Sequence, residues 1–163
     1  LGGLGATAIF QRDYELRNTR PENGYEPPEV RGDRLREAVA EFPDAATAAA
    51  AYDTILEWVN DCTQGATNAG TPDYRVLQAD EITIEGADKA VRVDTHRGPV
   101  PEELDPYGDA AYIGEIGLVQ VGDRIAFLDS TIVGQDYNFT PEEGGTPVNQ
   151  MLPIAADLLT STD

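Results

Sequence analysis

Carboxylates are the side chains that this sequence offers most freely for chemistry. Asp80-Glu81, Glu102-Glu103 and Glu142-Glu143 stand as adjacent pairs, with Asp105 and Asp109 close behind the second. A glycosidase works with two carboxyl groups about 5 to 10 Å apart in a cleft. Asp105 or Glu103, on a loop over a sheet, would serve a secreted carboxylate-dependent hydrolase of that kind. Yet 30 acidic residues among 163 make adjacent pairs the expectation of composition alone. The same oxygens are of the type that holds Ca²⁺, in Asp80, Glu81, Glu85 and Asp88 or in Glu102, Glu103, Asp105 and Asp109. Neither group has a recognised ligand spacing, so no metal is assigned.

Other catalytic groups are scarce. His96 is the only histidine, and it lies beside Arg97 and Gly98 on an alternating stretch with no motif around it. It reads as a solvent-facing strand residue. The chain lacks GxSxG, GxxxxGK[ST], HExxH and the EF-hand loop. No catalytic residue and no cofactor is assigned, and the chain reads as non-enzymatic. Cys62 is the only cysteine, four residues after the only tryptophan, Trp58. Three readings stand for it: a buried inert thiol on the apolar side of a helix, a reactive thiolate, or half of an intermolecular disulfide. Asp61 and a helix C-terminus beside it would raise the thiol pKa, which argues against the second.

The charge bounds the partners. Thirty acidic against 11 basic residues give a formal net charge of −19, which repels nucleic acid and anionic membrane surfaces at long range. No run of about 18 apolar residues is present, so no transmembrane helix lies within this chain. The sequence opens on Leu1, as a processed or excised piece would. Arg31-Gly32-Asp33 reads as a turn in an acidic loop. Asn138-Phe139-Thr140 matches the glycosylation sequon, with an unfavourable Pro141 after it.

The elements that would position these groups follow from periodicity. Ala6 to Phe10 is a candidate strand. A Pro- and Gly-rich stretch of about 18–34 reads as an exposed loop. Leu35 to Phe42 reads as a strand with Leu35, Ala38, Ala40 and Phe42 available for burial, ended by Pro43. Asp44 then offers an N-cap. Ala48, Ala51, Ile55, Trp58 and Cys62 recur at helical steps, with Tyr52 and Val59 widening the stripe and Gly65 placed to end it. Tyr74 to Gln78, Glu81 to Glu85 and Lys89 to His96 read as three short strands, turning at Ala79-Asp80 and Gly86-Ala87-Asp88. Arg97 to Asp109 is a second Pro-rich loop. Gly122-Asp123 closes a hairpin pairing Val121 with Arg124, Val119 with Ala126 and Gly117 with Leu128. Both faces of that hairpin are apolar, so its strands should be central. A final helix places Met151, Ile154, Ala155, Leu158 and Leu159 inward, with Pro153 in its first turn. The fold class is α+β: an antiparallel sheet with one long and one C-terminal helix packed on it.

The segment FPDAATAAAAYDTILEWVNDC, the opening LGGLGAT and the closing stretch Ile154 to Thr160 resemble the PknH-like extracellular sensor domain. That family occurs on actinobacterial receptor kinases and lipoproteins. The resemblance covers most of the chain. It implies one extracytoplasmic sensor-like domain over residues 1–163, with helices against an antiparallel sheet and a cleft for a ligand. It implies no catalytic residues. Family members carry paired cysteines, one at the end of this helix, whereas Cys62 has no second cysteine to pair with. The expected function is a non-enzymatic sensor or ligand-binding domain for an unknown small ligand or cell-envelope component, tethered to the membrane from upstream. The alternatives are the carboxylate hydrolase and a cell-surface protein-interaction module. Sequencing the encoded region before Leu1 tests the tether. A lipobox, or a kinase with a membrane helix, is expected there, and a cytoplasmic protein with neither would contradict it.

Overall fold

A computed structural model describes residues 1–16, 33–68, 73–103, 105–134 and 145–161. Six strands form one sheet in the order β1-β2-β6-β5-β4-β3, each antiparallel to its neighbours. They are β1 Ala8–Leu16, β2 Asp33–Glu41, β3 Tyr74–Glu81, β4 Lys89–Pro99, β5 Ala111–Val121 and β6 Arg124–Gly134. Helix α1, Ala45–Asn68, leads from β2 to the far edge strand β3, and α2, Pro147–Thr160, closes the chain. This is the α+β architecture that periodicity predicts. No helix among the described residues is long and apolar enough to cross a membrane.

The hairpin register is the one its turn dictates. Val121 pairs with Arg124, Val119 with Ala126 and Gly117 with Leu128, and Gly122 takes the left-handed φ of +56° that the turn needs. Alternation then divides the residues of β5 and β6 between two cores. Ile116, Leu118 and Ile125 join Val91, Val93 and Phe42 under α1. Val119, Ala126 and Leu128 meet Val148, Leu152, Ala155 and Leu159 of α2. The central strands therefore lie between the two helices, buried on both faces.

Helix α1 begins as expected. The Asp44 carboxylate accepts from the Thr47 amide at 2.7 Å and the Thr47 hydroxyl at 2.9 Å. The amide bond above all lowers the Asp44 pKa. Its buried stripe is Ala48, Ala51, Tyr52, Ile55 and Val59. Trp58 is not in it: its side is 55% exposed, because at 100° per residue it lies about 70° off the centre of that stripe. Alanine is small enough to be buried on such a flank, and an indole is not. Cys62 is half-buried, and the helix continues past Gly65 to Asn68.

Three other expectations change. β1 runs to Leu16, well beyond Phe10. Tyr74 to Glu81 is one strand: the break expected at Ala79-Asp80 is instead a register shift between Val76 and Gln78, which leaves Leu77 exposed. Glu81 to Glu85 is therefore no separate strand, and the reversal comes around Gly86, at φ +79°. In α2 the inward residues are Val148, Leu152, Ala155, Ala156 and Leu159, while Ile154 and Leu158 point outward. Gly117 sets that orientation. A Cβ there would stand 2.6 Å from Val148 Cγ1 and 2.9 Å from Leu152 Cγ, so its absence lets α2 settle on the sheet. Pro147 occupies the first turn, and Pro153 lies inside the helix on its exposed side. Lacking an N–H, Pro153 cannot donate to the carbonyl of Asn149.

The two helix faces differ in what they contribute. Leu152→Ala should cost about 2–5 kcal/mol in urea unfolding, and Trp58→Ala only about 0.5 kcal/mol. Comparable losses from the two would contradict this division of inside and outside.

Candidate functional site

Toward the end of the sheet away from the Gly122 turn, the α1 face changes from apolar to charged. Arg36 on β2 lies opposite Asp129 on β6, and Asp129 opposite Ile116 of the α1 core, so all three share that face. Asp13 on β1 pairs with Arg36, and Arg36 Nε donates to its carboxylate at 2.7 Å. That bond is the main reason the Asp13 pKa falls below its usual value. One row further, Glu15, Arg34 and Thr131 lie side by side, with Arg34 Nη2 3.9 Å from Glu15.

Arg97 reaches this row from β4. Its Nη1 donates to Thr131 Oγ1 at 2.7 Å, its Nε to Thr95 Oγ1 at 3.2 Å, and its Nη2 to Asp129. The guanidinium lies over Gly114 of β5. A Cβ on that residue would overlap Arg97 Nε and stand 2.5 Å from Thr95 Oγ1. Glycine there is the space in which the arginine lies. Tyr74, opposite Arg97 on β3, is half-buried, and burial is the first cause of its raised pKa. Arg97 and the charged residues of β1, β2 and β6 border an open cleft of about 530 Å³ lined by Asp13, Arg34, Arg36, Arg97, Asp129 and Thr131 among others. Its volume is that of a small-molecule site, with a polar lining.

The α2 face carries a different charged centre. Glu115 has no exposed surface, yet its carboxylate accepts from the Thr146 hydroxyl at 2.6 Å and the Val148 amide at 3.1 Å. Thr146 in turn caps α2 by accepting from the Asn149 amide. Arg92 Nε lies 3.5 Å from Glu115, and its Nη2 meets Asp80 and Asp94. Burial, partly offset by the two hydrogen bonds, raises the Glu115 pKa. This group is closed around its own partners and pins the start of α2. It is an anchor.

The residues singled out from sequence are scattered. His96 lies on β4, half-buried, with Nδ1 3.1 Å from the Asp73 carbonyl oxygen. Asp105 is buried, and its carboxylate accepts the Ala110 amide at 2.7 Å, holding its own loop. Glu102, Glu103 and Asp109 are exposed. Asp80 is taken by Arg92, and Asp88 accepts from the Gly122 amide. Glu81 and Glu85 are exposed. No three metal-ligating side chains converge among the described residues. Glu142-Glu143, Asn138 and the Arg31-Gly32 part of the tripeptide lie outside the described residues. None of the cleft residues was singled out. The signal was Arg34 and Arg36 at i, i+2 on β2, which alternation puts on one face.

Solved structures place this arrangement among known folds. The extracellular domain of PknH from Mycobacterium tuberculosis matches with a TM-score of 0.51 at 13% identity, over 96% of this chain and 67% of that one. The likeness shows a shared fold. A protein of unknown function from Pseudomonas aeruginosa matches at 0.42 and 11% identity, over 96% of this chain and 84% of that one. The Saccharomyces cerevisiae Ran-binding protein Mog1p matches at 0.35 and 15% identity, over 92% and 74%. No family model and no curated protein matches the sequence.

The raised pKa of Glu115 gives a signed expectation. A carboxyl whose folded pKa lies above the unfolded one contributes stability that is full below the usual value of 4.5. That contribution is lost as pH rises through the raised value. The stability of wild type relative to Glu115→Gln should therefore decline from pH 4.5 upward in urea titrations. A difference independent of pH would contradict it.

Proposed function

We propose that this chain is a non-enzymatic, sensor-like ligand-binding domain that works outside the cytoplasm and recognises a small polar ligand in the Arg97 cleft. The observation that carries this reading is the cleft itself. Its charged groups are held by partners from four strands, β1, β2, β4 and β6. Arg97, fixed by Thr95, Thr131 and Asp129, loses little freedom when a ligand arrives. Among the described residues of the cleft, Asp13 and Asp129 are each engaged by an arginine. The shared fold with the extracellular domain of PknH supports the sensor-like reading, and the formal charge of −19 suits a solvated, extracytoplasmic surface. On this reading residues 1–163 act as one domain. A segment upstream of Leu1 ties it to the membrane, and the partner is a small molecule or a component of the cell envelope.

Thermal unfolding against a library of small polar compounds tests this. A ligand at about 100 times its Kd adds about 2.7 kcal/mol, which for a domain of this size raises Tm by about 5–10 °C. Asp129→Asn should keep a cooperative transition and lose the shift. A shift that survives this substitution, or a library that moves nothing, would contradict the assignment.

A further inference from the structure

Three arginines face three carboxylates in the cleft: Arg34 with Glu15, Arg36 with Asp13 and Arg97 with Asp129. Their formal charges sum to zero, in a chain whose net charge is −19. A simple anion meets the repulsion of the whole molecule and finds each of these arginines already facing a carboxylate. A simple cation is drawn in by the same field and then lies beside guanidinium groups. A zwitterion has no net charge for the field to act on, and it offers one group of each sign.

The order of the charges matches such a ligand. Across the strands Asp13, Arg36, Asp129 and Arg97 alternate in sign. The outer pair is wet, with Arg36 and Asp13 side chains 55% and 58% exposed. The inner pair is sheltered, at 20% for Arg97 and 28% for Asp129. An exposed ion pair is weakly held and opens at little cost. The inner pair keeps its geometry because the Thr95 and Thr131 hydroxyls also hold Arg97. The outer carboxylate and guanidinium touch at 2.7 Å, so the groups that would receive an ammonium and a carboxylate are adjacent, as those two groups are in an α-amino acid. Arg34, two residues along β2 on the same face, adds a second guanidinium for the carboxylate.

We propose that this cleft, taken as the ligand site, binds a zwitterion, a free α-amino acid or a short peptide, with its ammonium against Asp13 and its carboxylate on Arg36 and Arg34. The cleft volume of about 530 Å³ leaves room beyond the charged groups for a side chain or a further residue.

Calorimetric titration of the intact chain at low salt tests it. The probes are L-alanine, L-alanylalanine, their N-acetyl and C-amide forms, D-glucose and inorganic phosphate. A zwitterion should bind, and removing either of its charges should weaken binding by about tenfold or more. Arg36→Gln, checked for an unchanged circular dichroism spectrum, should weaken it by a similar factor. Preference for alanine or alanylalanine separates the free amino acid from the peptide. Equal binding of capped and uncapped forms, or binding insensitive to Arg36→Gln, overturns the inference. Glucose or phosphate binding that Arg36→Gln weakens also overturns it, while leaving the cleft a ligand site. No binding by any probe overturns both.

Discussion

The register of the β5–β6 hairpin is the constraint on which the rest depends. Closure at Gly122-Asp123 fixes Val121 against Arg124, and side chains in a strand alternate with a period of two. A slip of one residue would exchange the two faces of the hairpin. Leu118 would leave the α1 core and Leu128 the α2 core, and Asp129 would turn away from Arg36 and Arg97. Apolar burial on both sides of these central strands opposes such a slip, so the packing that stabilises the fold also aligns the charged row.

Two glycines on β5, three residues apart and thus on opposite faces, show how one strand serves both layers. Gly117 removes the Cβ that would collide with Val148 and Leu152, and α2 packs directly on the sheet. Gly114 removes the Cβ that would collide with Arg97, and a guanidinium lies where a side chain would otherwise stand. In both cases a missing side chain leaves room, on one face for a helix and on the other for a cation. Glu115, between them, faces the α2 side, where its buried carboxylate holds the start of that helix. One short run of strand thus anchors a helix and makes room for Arg97.

Much of the fold was legible because it follows from local rules. Turn chemistry gave the hairpin register, Asp44 announced the start of α1, and two apolar faces identified the central strands. The failures have physical causes. The spacing of Trp58 counts it inward, but a large ring on the flank of a stripe emerges into solvent. The inward side of α2 is not legible from its own periodicity, because Gly117, 30 residues before the helix begins, decides which of its residues meet the sheet. In β3 a register shift between Val76 and Gln78 takes the place of the turn that alternation suggests. The cleft was missed for a different reason. Asp13, Arg36, Arg97 and Asp129 come from four strands spread along the sequence, and none belongs to a motif. Only the strand order β1-β2-β6-β5-β4 brings them into one row. Carboxylates adjacent in sequence point to no site, whereas the pairing that builds the cleft is across strands.

The central claim is that Arg97 is held across Gly114 by Thr95, Thr131 and Asp129, so that the cleft is built before any ligand arrives. Proton exchange at the arginine Nε–H groups, followed by nitrogen-15 NMR on the ligand-free chain, measures this most directly. The account predicts a slowly exchanging Arg97 signal near neutral pH, well separated in rate from that of Arg12 on the exposed edge strand, and loss of that protection in Gly114→Ala. An Arg97 signal exchanging as fast as that of Arg12, or protection unchanged by the added methyl, would contradict it.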